Sequence, residues 1–167
     1  MGYRNLRQCV TDLEQNGHLV RLTEPVDANL EAAEIHRRVY RNQGPALLFT
    51  RVRGTRFPVV SNLFGTLDRA RFIFRSTFEG VQLAVRWKTD ITQALHKPWQ
   101  LWRAPIIGAR MVAKSVRKAR VRSQTCQLSD LPQIVCWPDD GGPFVTLPQV
   151  ISQDPASNSL SSINMGM

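Results

Sequence analysis

The chain has 167 residues, 43% hydrophobic and 21% charged, a globular composition that excludes a disordered or low-complexity chain. No apolar run approaches the roughly 18 residues of a membrane span, and the opening MGYRNLRQ has no apolar stretch that would read as a secretory signal. Three scattered cysteines, Cys9, Cys126 and Cys136, point to free thiols in a reducing cytoplasm, and the net charge of +9 is the one unusual value.

Leu6, Cys9, Val10 and Leu13 fall at helical spacing over residues 4–16, with Gly17 as a stop. His18 to Leu22 reads as a short strand that ends at Pro25. A second helix, capped by Asp27 or Asn29, turns Ala32, Ile35 and Val39 inward and stops at Gly44. Ala46 to Phe49 and Phe57 to Asn62 read as strands on either side of a turn at Gly54. Thr66 caps a helix that uses Leu67, Ala70, Ile73 and Phe74. Another helix over 78–96 has Val81, Ala84, Val85, Ile91 and Leu95 as its inward set. From these patterns Leu6, Val10, Leu13, Leu47, Phe49, Val59 and Val60 are expected to be buried.

The excess charge belongs to one segment. Between Asp90 and Asp130 there is no acid, while Lys97, Arg103, Arg110, Lys114, Arg117, Lys118, Arg120 and Arg122 all fall there. Arg110, Lys114, Arg117 and Lys118 share one face of a helix near 106–120, opposite Ala109, Val112, Ala113 and Val116. Such a face is solvated, docks on an acidic surface or makes peripheral contact with an anionic membrane, and is expected to be exposed in this chain. Nucleic acid is not the expected partner, because interleaved aromatics, an RNP-like signature and zinc-finger spacing are all lacking.

After Arg122 the character changes. Cys126 to Trp137 and Phe144 to Ser152 read as strands, Asp139-Asp140-Gly141-Gly142-Pro143 as a turn and Asp154 to Ser162 as a loop. The expected fold is α/β (α+β): a mixed domain over 1–122, then antiparallel strands over 123–167. Read from spacing alone, the chemistry is thin. His18, His36 and His96 are isolated and suit structural roles, and Glu31 and Glu34 suit a salt-bridged exposed face beside Arg37 and Arg38.

Two segments resemble the UbiD family of decarboxylases. LPQIVCWPDDGGPFVTLPQVISQDP, residues 131–155, is similar to a long stretch of that family and leads into Asn164-Met165-Gly166-Met167, like its Asn-x-Gly-Met. PVVSNLFGTLDRA, residues 58–70, agrees as well, together with the opening YRNLRQCVTDLEQNGHLVRL and the helix EAAEIHRRVY. The resemblance implies reversible decarboxylation of an aromatic or α,β-unsaturated carboxylic acid, in quinone biosynthesis, with prenylated FMN as electron sink. It also implies a divalent metal, usually manganese, and potassium at the cofactor phosphate. A flavin prenyltransferase is the implied cofactor supplier, and the full-length protein is implied to be a homo-oligomer. Residues 123–167 then begin a flavin-binding split β-barrel.

Carried onto this sequence, the family's metal-binding asparagine is Asn164, whose amide oxygen is a hard ligand. Thr146, Met165, Gly166 and Met167 match positions along the cofactor. The family pattern continues into Tyr-Arg, and that arginine is catalytic, whereas the chain ends at Met167. The family's other metal ligands, a His and a Glu, and its catalytic glutamates lie farther on. No catalytic residue is therefore expected within this chain, which reads as the N-terminal part of such an enzyme, inactive alone. The alternative is a non-catalytic N-terminal interaction module that works through the basic helix.

Overall fold

The computed structural model describes residues 2–89, 104–111, 123–157, 159 and 162–166. Its elements in chain order are α1 (Leu6–Gln15), β1 (Leu19–Leu22), α2 (Glu31–Arg41), β2 (Ala46–Phe49) and β3 (Val59–Ser61). There follow α3 (Leu67–Phe74), α4 (Phe78–Thr89), α5 (Ala104–Met111), a 3-10 turn at Leu128–Asp130, β4 (Val150–Gln153) and β5 (Ile163–Gly166). Helices and two small sheets make this an α+β fold, as the sequence pattern leads one to expect.

The first sheet has the order β1-β2-β3, with β1 parallel to β2 and β2 antiparallel to β3. A parallel pair needs a crossover, and α2 supplies it. Because side chains alternate across a strand, β2 feeds two cores. Ala46 and Leu48 join Cys9, Val10 and Leu13 of α1, Leu19, and Ile73 of α3 on one face. Leu47 and Phe49 join Val26, Ala28, Val52 and Ala32 of α2 on the other. All four β2 residues are buried, which accounts for its unbroken apolar run.

Thr66 caps α3 as expected, and Asn5 caps α1. Asn5 accepts from the Gln8 amide at 2.9 Å and Thr66 from the Arg69 amide at 3.3 Å. Gly17 and Gly54 have φ of +74° and +77° in the turns that need them. The start of α2 does not follow expectation. Leu30, not Asp27 or Asn29, holds the cap position, with φ 66° and ψ −40° and no side-chain cap. The Glu31 amide donates to the Asn29 carbonyl at 2.8 Å, closing a three-residue γ-turn around Leu30. A leucine held at positive φ costs on the order of 1–3 kcal/mol. Asp27 acts one step removed: its carboxylate accepts from the Asn29 amide, and its amide donates to Glu31.

Other expectations are corrected. Leu6 is exposed, because as the first residue of α1 it precedes the stripe of Cys9, Val10 and Leu13 that meets the sheet. Val59 and Val60 are half-buried, as suits a three-residue edge strand. Leu67, Phe74, Val81 and Val85 are exposed, so the apolar faces of α3 and α4 are only partly covered by described residues. Cys126 to Trp137 is not a strand: Pro132 and Pro138 lack the amides a ladder needs, leaving the 3-10 turn and an isolated bridge between Val135 and Asn29. The strand expected from Phe144 begins only at Val150, because Leu147 has φ 54° and Pro148 follows. Ile91, Leu95 and His96, the side chain of Arg110, and all of Lys114, Arg117 and Lys118 lie outside the described residues.

Candidate functional site

Three of the matched residues, Asn164, Met165 and Gly166, lie on the second sheet. β4 pairs antiparallel with β5 in the register Val150↔Gly166, Ile151↔Met165, Ser152↔Asn164 and Gln153↔Ile163. Directly opposed residues share a face, and the faces alternate. One face therefore carries Val150, Ser152, Asn164 and Gly166; the other carries Ile151, Gln153, Ile163 and Met165.

This ladder sorts the expected site residues. Asn164 and Gly166 lie together on the first face, where Gly166 meets nothing within 4 Å of an added Cβ, so the strand's own neighbours leave it open. Met165 points to the opposite, more apolar face. Thr146 lies upstream in an exposed bend before β4, and Met167 lies outside the described residues. Ser152, which sequence reasoning did not single out, lies directly across from Asn164 in the register.

Both faces are open to solvent. Val150, Ile151 and Met165 are 60%, 66% and 63% exposed. A two-stranded ribbon has little stability by itself, and this one leaves its apolar residues exposed among the described residues.

The turn before the ribbon is built tightly. The Asp140 carboxylate accepts from the amides of Cys136 at 3.1 Å and Trp137 at 2.9 Å, and the Asp140 amide donates to the Trp137 carbonyl. Asp139 and Asp140 are thus turn residues, not a paired-carboxylate centre. His18 packs on Phe72, and His36 Nδ1 lies 2.6 Å from Ser61 Oγ, so both are packing histidines. Glu34 pairs with Arg37 and Arg38 on the α2 surface, and its carboxyl is held below the ordinary range, chiefly by the Arg38 hydrogen bond.

These donors can be tested against a divalent cation. Such an ion takes about six oxygen ligands. Asn164 brings one amide oxygen and Ser152 one hydroxyl, and no group of three or more His, Cys, Asp or Glu side chains that could hold a metal occurs among the described residues. The described residues do not complete a metal centre, nor do they enclose a flavin. Two clefts open elsewhere. One of about 590 Å³ runs along α1 past Tyr3, Asp12 and Arg75, and one of about 350 Å³ lies between Thr55 and Asp130. Neither contains Thr146 or Asn164.

Comparison with known proteins is consistent along the chain. A family model described as the 3-octaprenyl-4-hydroxybenzoate carboxy-lyase N-terminal domain matches residues 10–85. A second, described as the Rift-related domain of the same carboxy-lyase, matches residues 110–167. A protein of Chlamydia caviae is 39% identical over 169 residues, covering 94% of this chain and 28% of that protein. A protein of Chlamydia pneumoniae named as a subunit of 4-hydroxybenzoate decarboxylase is 37% identical over 168 residues, covering 97% of this chain and 28% of that protein. The chain thus spans little more than a quarter of the length of these relatives.

Among solved structures, the vanillic acid decarboxylase of Sedimentibacter hydroxybenzoicus in its open form matches 99% of this chain and 35% of its own, with a TM-score of 0.71 at 21% identity. An evolved dimeric form of the UbiD-class enzyme HmfF from Pelotomaculum thermopropionicum, in complex with prFMN, matches 98% of this chain and 34% of its own. Its TM-score is 0.57 at 23% identity. At these identities the likeness is one of fold.

Proposed function

Because the chain belongs to the UbiD family of carboxy-lyases, we propose that it forms the N-terminal part of a decarboxylase acting on an aromatic or α,β-unsaturated acid in quinone biosynthesis. On this reading residues 1–122 are the α/β domain, and 123–167 begin a split barrel for prenylated FMN. Thr146, Asn164, Met165, Gly166 and Met167 lie along the cofactor, and Asn164 gives one oxygen to a manganese ion, with potassium nearby at the cofactor phosphate. The cofactor comes from a flavin prenyltransferase, and the whole protein is a cytoplasmic homo-oligomer whose basic helix offers peripheral contact with a membrane.

The observation that carries this reading is the uncovered β4–β5 ribbon, which sets Asn164 beside the open backbone of Gly166. The prFMN held by HmfF and the activity named for the Chlamydia pneumoniae relative support the cofactor and the reaction. With one amide oxygen toward the metal and no enclosing barrel among the described residues, residues 1–167 bind metal weakly and leave a flavin exposed to water. They do not decarboxylate alone.

The test expresses residues 1–167 and the whole protein with a supply of prenylated FMN, then measures flavin absorbance and carbon dioxide release. The whole protein is expected to hold cofactor and turn over, and Asn164→Ala in it to weaken manganese affinity by at least about tenfold, the loss that removing even a hydrogen-bond partner of a ligand brings. Stoichiometric cofactor and turnover from residues 1–167 would refute the reading.

A further inference from the structure

The stretch between the 3-10 turn and β4 is fastened to the first domain at three points. The Thr55 hydroxyl donates to the Asp130 carbonyl at 2.7 Å. The Leu30 amide donates to the Val135 carbonyl at 3.0 Å, and the Val135 amide donates to the Ala28 carbonyl at 3.2 Å. The Arg37 guanidinium lies 5.7 Å from the ring centre of Trp137. Asp140 closes the loop behind these contacts, and the Phe144 amide returns to the Ile134 carbonyl at 2.9 Å.

The middle point falls on a strained residue, Leu30, held at φ 66°. Val135 bonds on both sides of Asn29, one residue from the γ-turn that holds Leu30 at positive φ. The Leu30 amide has its acceptor in Val135 and in no other described residue. A strained backbone persists only where its surroundings over-determine it. Here the surroundings include a segment distant in sequence, whose contacts are three hydrogen bonds and one ring contact.

We propose that residues 130–137 are a detachable strap, and that its docking on Ala28 and Leu30 holds the first turn of α2 in the strained form. Docking and strain form one two-state element. When the strap lifts, Leu30 loses its acceptor and relaxes to negative φ, and the first turn of α2 frays; when the strap seats, that turn is re-formed. β4 follows the strap in the chain, so the placement of the ribbon is tied to the order of α2. This inference rests on these contacts and on the backbone of Leu30, and is independent of the proposed activity.

Hydrogen exchange by mass spectrometry on the 167-residue chain tests it, reading peptides over 23–34 and 130–138 with the β2 peptide 45–50 as reference. Val135→Pro removes the donor to Ala28, and is expected to speed exchange in both 23–34 and 130–138 by about tenfold while β2 stays protected. Trp137→Ala is expected to move both peptides in the same direction by a smaller factor. Leu30→Gly is the opposite test: it removes the strain from the docked form, so peptide 130–138 is expected to exchange more slowly. Faster exchange confined to 130–138 in the first two variants, or unchanged exchange of 130–138 in Leu30→Gly, overturns the proposal. Should Val135→Pro also expose β2, Trp137→Ala and Leu30→Gly decide between the two outcomes.

Discussion

The Arg75 guanidinium donates to the Asp12 carboxylate at 2.6 Å, joining the end of α3 to the middle of α1 across 63 positions of sequence. Tyr3 completes the group, giving its hydroxyl to the same carboxylate oxygen at 2.5 Å and accepting from Arg75 at 2.7 Å. These bonds, the one from Tyr3 foremost, hold the Asp12 carboxyl below the ordinary carboxylate range.

A depressed acid contributes stability above its unfolded value, and that stability is lost as the pH falls through the folded one. The wild-type protein is therefore expected to lose part of its thermal stability as the pH falls below about 4, where an ordinary aspartate carboxyl is half-protonated. Asp12→Asn should flatten that acid limb while changing the slope near neutral pH little. Thermal midpoints measured against pH for the two proteins check this.

The buried Arg69 gives a larger effect. It is 2% exposed and donates to the carbonyls of Asn62, Leu63 and Gly44 at 2.7–3.1 Å, with no carboxylate paired to it among the described residues. Arg69→Ala leaves those carbonyls unpaired around a cavity and is expected to cost about 3–5 kcal/mol in urea denaturation. Arg69→Lys keeps the charge but loses the planar fork, so it should recover only part of that loss.

Gly65 is the neighbour that Arg69 depends on. A Cβ there would meet Asn62 Oδ1 at 1.8 Å, and Asn62 bonds the Gly44 and Pro45 carbonyls through its amide. Gly65→Ala should displace Asn62 and cost about 2–4 kcal/mol. Combined with Arg69→Ala the losses should fall short of additivity, because both changes disrupt one network; a double-mutant cycle measures the coupling.

The ribbon predicts behaviour in solution. With Ile151 and Met165 uncovered on one face of two edge strands, residues 1–167 should self-associate in a concentration-dependent way. Ile151→Lys with Met165→Lys is expected to reduce that association while shifting stability by about 0.5 kcal/mol or less, as exposed sites do. Sedimentation velocity and urea denaturation of the pair check both halves.

The sheet domain was legible because its signals are local. The apolar run Ala46–Phe49, the stripe of Val10 and Leu13, and the cap at Thr66 each state a period or a turn within a few residues. What stayed hidden depends on partners far along the chain. Leu6 and Val81 fit a helical stripe, but spacing cannot say where the opposing surface ends. Arg69 reads as an ordinary helix-surface arginine, since its acceptors are backbone carbonyls and carry no side-chain signature. Asn62 offered a clue, being an asparagine after a short strand, and it has φ 59°. For the candidate site, spacing alone showed nothing: Asn164 was found only through the family resemblance, and its partner Ser152 only through the strand register.

The brace around Arg69 differs in kind from the one around Asp12. Neither a guanidinium nor a backbone carbonyl changes protonation anywhere between neutral and strongly acid solution, and the group is too deeply enclosed for mobile ions to shield it. Acid that breaks the Asp12–Arg75 pair leaves the tie between Gly44, Asn62 and Arg69 chemically unchanged. The edge of the sheet at β3 thus has a fastening indifferent to acid and salt, while α1 and α3, beyond their shared apolar core, are joined by one that answers to both.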